Sequence, residues 1–288
     1  KDEMIEGARI EVAPYKKDPM DFVLWKPSTK DQPGWDSPWG RGRPGWHIEC
    51  SSIIKTYLGE TIDIHLGGND LIFPHHENEI AQSNCAHDGK SLSKYWIHNG
   101  FISMNKEKMS KSVGNIILVN DILKNYTGEA IRLAMLTTHY KQPLDWNENI
   151  LIQANKNLEN FYDVIGDKKN FESIEPPKKF FDALLNDLNT PEALKELYEL
   201  SKNKNTKDQL KSAANYLGIL QLTKTEWINQ RKKIKNLDQK KIEKLIDNRN
   251  KARKEKNFVE ADKIRDKLTL DNIILEDSPS GTKWRINN

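Results

Sequence analysis

The chain has 288 residues, 36% of them hydrophobic and 30% charged, and 45 basic against 42 acidic side chains leave a net charge of +3. That length allows two or three modest cores with much solvated helix surface, and the mildly basic balance permits a nucleic-acid partner without requiring one. Two cysteines, Cys50 and Cys85, exclude a disulfide framework and point to a reducing, cytoplasmic setting, while no apolar run nears the ~18 residues of a membrane span.

The opening, "KDEMIEGARIEV", has no Met at its first position and enters part-way through a pattern, so a longer protein is expected around it. Residues 1–44 are rich in Pro, Gly and Trp ("WKPSTKDQPGWDSPWGRGRPGW"), which breaks helices and favours turns. The tryptophans there suit the core of an irregular loop or the lining of a cleft. In "WHIECSSIIKTYLG", Ile53, Ile54 and Leu58 fit a short helix ending at Gly59. "TIDIHLGG" alternates Ile62, Ile64 and Leu66 with Asp63 and His65 before two glycines, the pattern of a strand feeding a loop. "PHHENEIAQSNCA" reads as a helix with Pro74 in its first turn. "YWIHNGFISM" reads as a further strand-like run before the polar loop "NKEKMSKSVGN". Strand, glycine loop, helix and strand in this order suggest half of an α/β nucleotide-binding sheet.

Beyond about residue 120 the pattern turns helical. "NTPEALKELYELS" offers Thr190 as N-cap, Pro191 at the first helical position and Leu194, Leu197 and Leu200 on one face. Linker-like composition at 166–179 and a basic run at 229–241 mark junctions. The tail reads as two short helices split near Asn257, then a hairpin of "IILED", the turn "SPSG" and "TKWRI".

The histidine–glutamate cluster in "FPHHENEIAQ" carries the first chemical question. His75 and Glu79, four apart, share a helix face with Cβ atoms ~5–6 Å apart, so both could bind one zinc ion. His76 points roughly 100° away from His75 and is read as a supporting or structural residue. The pair alone is common on solvated helices, and the zinc-hydrolase pattern H-E-x-x-H is not met, since Ile80 follows Glu79. Cys50, just upstream of the strand leading to this helix, would add a thiolate to an imidazole and a carboxylate. Cys85 could be a fourth ligand. Six residues beyond Glu79 and on another face, it is expected instead as a buried free thiol.

"GRPGWHIECS", "DIHLGGNDLIFPHHENEIAQS" and "KMSKSVGN", followed by "DLNTPEAL" and "LEDSPSGTKWR", together resemble the cysteinyl-tRNA synthetases, class I aminoacyl-tRNA synthetases, over nearly the whole chain. The resemblance implies an α/β nucleotide-binding (Rossmann-like) half-domain, then an α-helical bundle and a small mixed α/β C-terminal domain. Residues 1–44 would end a connective insertion. Residues 45–115 would form the second half of the catalytic domain with zinc site and KMSKS loop, and 116–155 a stem-contact region. Residues 156–228 would form the helical bundle and 229–288 the anticodon-binding domain. No His-x-Gly-His occurs. The stretch therefore looks like the C-terminal three-fifths of such an enzyme, and alone it is expected to be inactive.

By resemblance, Cys50, His75 and Glu79 are three of four protein ligands of a zinc ion, the fourth being a cysteine outside this sequence. The metal would select cysteine over serine, which shape alone separates by only roughly 1–3 kcal/mol. Lys111, with Lys108 secondary, would steady charge on ATP phosphates during adenylate formation. Gly114 would let the loop hinge. Gly67 and Gly68 would allow close approach of a nucleotide, and Asp70 would accept from ribose hydroxyls or the α-ammonium of cysteine. Trp46 and His65 would wall the cysteine and adenylate pocket, or else serve as core side chains. In the tail, Phe258 would stack on an anticodon base or pack between the two helices, while Arg253, Asp262 and Asp277 would meet base edges. The implied reaction is cysteine–tRNA ligation by a monomer, with zinc, magnesium with ATP, L-cysteine and tRNA(Cys). The rivals are a cysteine:amino-sugar ligase of the mycothiol type, which would lack the tail, and a catalytically incomplete tRNA- or zinc-binding fragment.

Overall fold

The computed structural model describes residues 17–18, 21–104, 107–109, 116–172, 174–234, 239–270, 273–278 and 281–286. The chain divides into two compact units, 1–100 and 101–288.

The first unit begins with a short antiparallel pair, β1 (Trp25–Pro27) and β2 (Gly42–Pro44). Trp35 and Trp39 in the intervening loop are exposed, so they do not form the loop core that their spacing suggested. Helix α1 (Trp46–Leu58) follows Gly45, and Gly59 ends it at a φ of 101°, a conformation that favours glycine. Strand β3 (Ile62–Gly68) pairs in parallel with β4 (Ser93–Asn99), with His65 opposite Trp96 and Gly67 opposite His98. A parallel pair needs a crossover, supplied by tight turns over 69–76 and helix α2 (Glu77–Ala86). The α-helix thus starts at Glu77, three residues later than its expected start at Pro74. Phe73 is extended (φ −134°, ψ 133°), as the residue before a proline prefers, and the Phe73–Pro74 bond is cis.

The interior of this unit is mostly polar. Among its described residues His47, Ser51, His75, His76, Glu79, Ser83, His87 and Ser93 are buried, against only Ile54 and Leu92 of the hydrophobic ones. Of the apolar side chains of β3, Ile64 and Leu66 are exposed in this chain and Ile62 is half-buried. Cys85 is exposed too, which corrects its reading as a buried thiol. It stands two residues past buried Ser83, about 200° around the helix, so it faces solvent.

The run "YWIHNGFISM" resolves into two strands, because β5 (Ile102–Met104) lies beyond the unit boundary. It pairs with β6 (Glu107–Lys108) antiparallel and with β7 (Leu144–Trp146) parallel. Helices α3 (Val119–Ile122), α4 (Gly128–Leu136), α5 (Glu148–Ile165), α6 (Lys178–Leu185), α7 (Thr190–Ser201), α8 (Lys207–Tyr216) and α9 (Lys224–Ile234) follow. Their core runs from Ala130 to Trp227. Helix α5 supplies Leu151, Ala154, Leu158, Phe161, Tyr162 and Ile165, a stripe at helical period. Helix α7 buries Leu194, Leu197 and Leu200 as expected, but its N-cap is Asn189, whose side chain accepts from the Glu192 amide at 3.2 Å; Thr190 lies inside the helix. Helix α9 carries the basic run at least to Ile234, so the start of that run is helical.

Helices α10 (Gln239–Lys254) and α11 (Phe258–Leu270) break near Asn257 as read. They pack on the hairpin β8 (Ile273–Ser278) and β9 (Gly281–Ile286) through Ile242, Ile246, Ile264, Leu268, Ile273 and Leu275. No described helix is long and apolar enough to cross a membrane.

Candidate metal and substrate site

Glu79 sits in the first turn of α2 and is fully buried. Its Oε1 lies 3.1 Å from His75 Nε2 and its Oε2 3.3 Å from His65 Nε2. Neither oxygen completes a hydrogen bond of good geometry. Ligand atoms of Cys50, His75 and Glu79 all lie within 4.8 Å of one another, as do those of His65, His76 and Glu79. Tetrahedral bonds of zinc length place neighbouring ligands about 3.3–3.8 Å apart. A thiol, an imidazole and an orphaned carboxylate converging in this way fit such an ion.

Each donor is placed by its element. Cys50 lies on α1 one turn past His47, β3 presents His65, and the turn before α2 presents His75 and His76. His47 Nδ1 and His75 Nδ1 are 2.8 Å apart and buried. With that nitrogen engaged, His75 offers Nε2 toward Glu79 and Cys50. Trp46 stacks on the His75 ring at 4.3 Å between centroids and 20° between planes. His76 Nδ1 faces His98 Nε2 at 2.8 Å, and the His65 and His76 rings meet edge-on at 4.7 Å.

Burial pushes the Glu79 carboxyl up to about 7. Burial, then the charge of Glu79, pushes the Cys50 thiol up to about 11. Burial, then its histidine neighbours, brings His76 down to about 4. His47, His65 and His75 are lowered mainly by burial as well. Neutral imidazoles are what a metal needs, and a bound cation favours ionised thiol and carboxyl.

Gly67 is needed here for a reason the sequence did not show. A Cβ on it would fall 2.4 Å from His76 Cε1, so the close approach observed is to a histidine ring. Gly68 stands against Asp70, whose Oδ1 would be 2.6 Å from an added Cβ, and Asp70 is half-buried in the turn Asn69–Leu71.

Residues 1–156, more than half of the chain, match the family described as the tRNA synthetases class I (C) catalytic domain. The chain belongs to that family. Residues 179–221 match the DALR domain. The Cysteine--tRNA ligase of Parvibaculum lavamentivorans is 52% identical over 301 residues, covering 99% of this chain and 64% of that protein. The proteins of the same name from Maricaulis maris and Paramagnetospirillum magneticum are 48% and 51% identical, each over 99% of this chain and 64% and 65% of their own lengths. The chain thus spans slightly less than two-thirds of these relatives.

For the remaining residues of this class I synthetase chain, Lys111 and the Lys108 side chain lie outside the described residues, as does Gly114. In the tail, Arg253 and Asp277 meet directly, Nη1 to Oδ2 at 2.9 Å. Asp262 is exposed on α11 and acts electrostatically on Arg249. Phe258, at the start of α11, is 60% exposed, so it is available as a stacking surface and does not form a core contact.

His47, Trp96, His98 and Arg249 were not singled out from sequence. His47 had a signal, three residues before Cys50 on one helix face. His98 and Trp96 had none until β4 was paired with β3.

Proposed function

We propose that this chain carries the cysteine-selecting and tRNA-reading parts of a cysteine–tRNA ligase, which activates L-cysteine with ATP and passes it to tRNA(Cys). The carrying observation is the convergence of Cys50, His75 and Glu79, with both Glu79 oxygens buried and neither completing a hydrogen bond of good geometry. The relatives named Cysteine--tRNA ligase support the reading. Zinc, when bound, supplies a soft coordination position that prefers a thiolate to a hydroxyl.

This chain's residues do the rest. His47 holds the His75 ring through Nδ1 and leaves Nε2 for the ion. Trp46, half-exposed and stacked on that ring, fixes its plane and offers an apolar wall to a small side chain. His65 meets the Glu79 oxygen that His75 does not, and His76 packs edge-on against His65. Lys108 and Lys111 would bring positive charge to the phosphates of magnesium–ATP. Phe258, Arg253, Asp262 and Asp277 would receive the anticodon.

Cysteine-dependent exchange of pyrophosphate into ATP tests this, on this chain and on a protein of the relatives' full length. Exchange with cysteine but not serine, followed by charging of tRNA(Cys), is expected from the longer protein. Its absence from both would overturn the reading, and exchange without charging would favour an amino-sugar acceptor.

A further inference from the structure

The tail holds an ion cluster more elaborate than its hairpin requires. Asp277 stands two residues past Leu275, the last β8 side chain in the small core. Its carboxylate is gripped on both oxygens by Arg249, Nη1 to Oδ1 at 2.9 Å and Nη2 to Oδ2 at 2.8 Å. Thr282 Oγ1 donates to Oδ1 at 2.8 Å and Arg253 Nη1 to Oδ2 at 2.9 Å. Four donors on four lone-pair directions leave the carboxylate saturated in the free chain.

These donors are not equivalent. The Arg249 side chain is 4% exposed, whereas that of Arg253 is 45% exposed. Thr282 Oγ1 also faces Asn250 Oδ1 at 3.0 Å, and one hydroxyl proton serves only one acceptor at a time. The hydroxyl can turn to Asn250, and Arg253 can swing outward. Arg249 can do neither without stranding a buried charge.

We propose that Arg249 is a positioning residue for base discrimination: its buried fork fixes the rotation of the Asp277 carboxylate, so that only the outward lone pairs held by Thr282 and Arg253 can be given up to a base amino group. This rests on reading the tail as an anticodon surface. A carboxylate accepting from an exocyclic amine is a base-specific contact, whereas an arginine released toward phosphate adds affinity without sequence. A carboxylate free to rotate would accept from many donors and discriminate little.

The test is equilibrium binding of the chain to a tRNA(Cys) transcript and to three transcripts each changed at one anticodon base. Wild-type protein is expected to disfavour at least one changed transcript by about tenfold or more. Arg249→Lys keeps the charge and removes the fork. It is expected to lose most of that ratio, with affinity for the disfavoured transcript and the slope of log Kd against log salt unchanged. Retention of the wild-type ratio, or an equal loss on all four transcripts as a purely structural role would give, overturns the proposal. Should circular dichroism show Arg249→Lys unfolded, Thr282→Val, which leaves the fork intact, decides. Its discrimination is expected to persist, and loss would assign the fixing to Thr282 and overturn the proposal. Wild-type protein binding all four transcripts equally would overturn the anticodon reading itself.

Discussion

Glu79 is the residue on which the first unit turns. A fully buried carboxylate with two imidazole nitrogens at 3.1 and 3.3 Å has no reason to be there as a core side chain. We expect purified chain to hold about one zinc ion at most, measured by mass spectrometry of the metal, and His75→Ala or Cys50→Ala to bring this close to zero. In the full-length protein the same substitutions should weaken cysteine binding far more than ATP binding, seen by calorimetry with each ligand. Gly67→Ala provides a subtler test. The new methyl displaces the His76 ring and with it the 2.8 Å contact to His98. Overpacking of this sort costs about 1–3 kcal/mol, and chemical denaturation should register that loss.

Among the elements, α2 is unusual because its buried face is polar, with Glu79 and Ser83 inside where a packing helix would carry leucines. Helix α7 is the ordinary case. It buries Leu194, Leu197 and Leu200 and takes its cap from Asn189. Asn189→Ala should therefore cost about 1 kcal/mol and lower the melting temperature by a few degrees, whereas Thr190→Ala should cost less. The hairpin β8–β9 is tied to α10 through Asp277, which the Arg249 fork holds well below the usual carboxylate range. With its folded pKa depressed, its contribution is complete above the ordinary carboxylate value of about 3.9 and is lost as pH falls further. Circular dichroism melts of the Asp277→Asn variant should consequently differ least from wild type at the lowest pH.

At the scale of the whole chain, the two units respond to acid for different reasons. In the first, His76 is depressed to about 4 and His47, His65 and His75 are also lowered. The unfolded chain takes up those protons first, so their contribution is complete above about 6.5 and falls as pH drops. Glu79, raised to about 7, works in the opposite sense and stabilises the metal-free fold at low pH. Replacing Glu79 by Gln isolates the histidines. In the presence of a chelator, the first unit of the Glu79→Gln protein should melt at lower temperature at about pH 5 than at about pH 7.5. A melting temperature independent of pH in near-ultraviolet circular dichroism of that variant would contradict the burial of these rings. In the unsubstituted chain, added zinc should raise the melting temperature more at about pH 7.5 than at about pH 5, because protons compete with the ion for the same ligand atoms.

Local rules were enough for much of this chain. Gly59 ends α1, the alternation over 62–66 makes a strand, the leucines of α7 face inward, and the tail folds as two helices and a hairpin. Each follows from the spacing of neighbours within a turn or two. The pairing of His75 with Glu79 was legible for the same reason, being a contact between residues four apart across the start of α2. The cap of α7 is local too, a hydrogen bond from the Glu192 amide to Asn189 three residues back. Whether Cys85 is buried, and that Gly67 makes room for His76, depended on packing. So did the arrival of His47 and His98 at the histidine cluster from α1 and β4, and the occupation of Asp277 by Arg249 from 28 residues away. Such contacts join residues far apart in the chain, and no local periodicity encodes them. They exist only once β3 and β4 are aligned in parallel and α10 is laid against the hairpin.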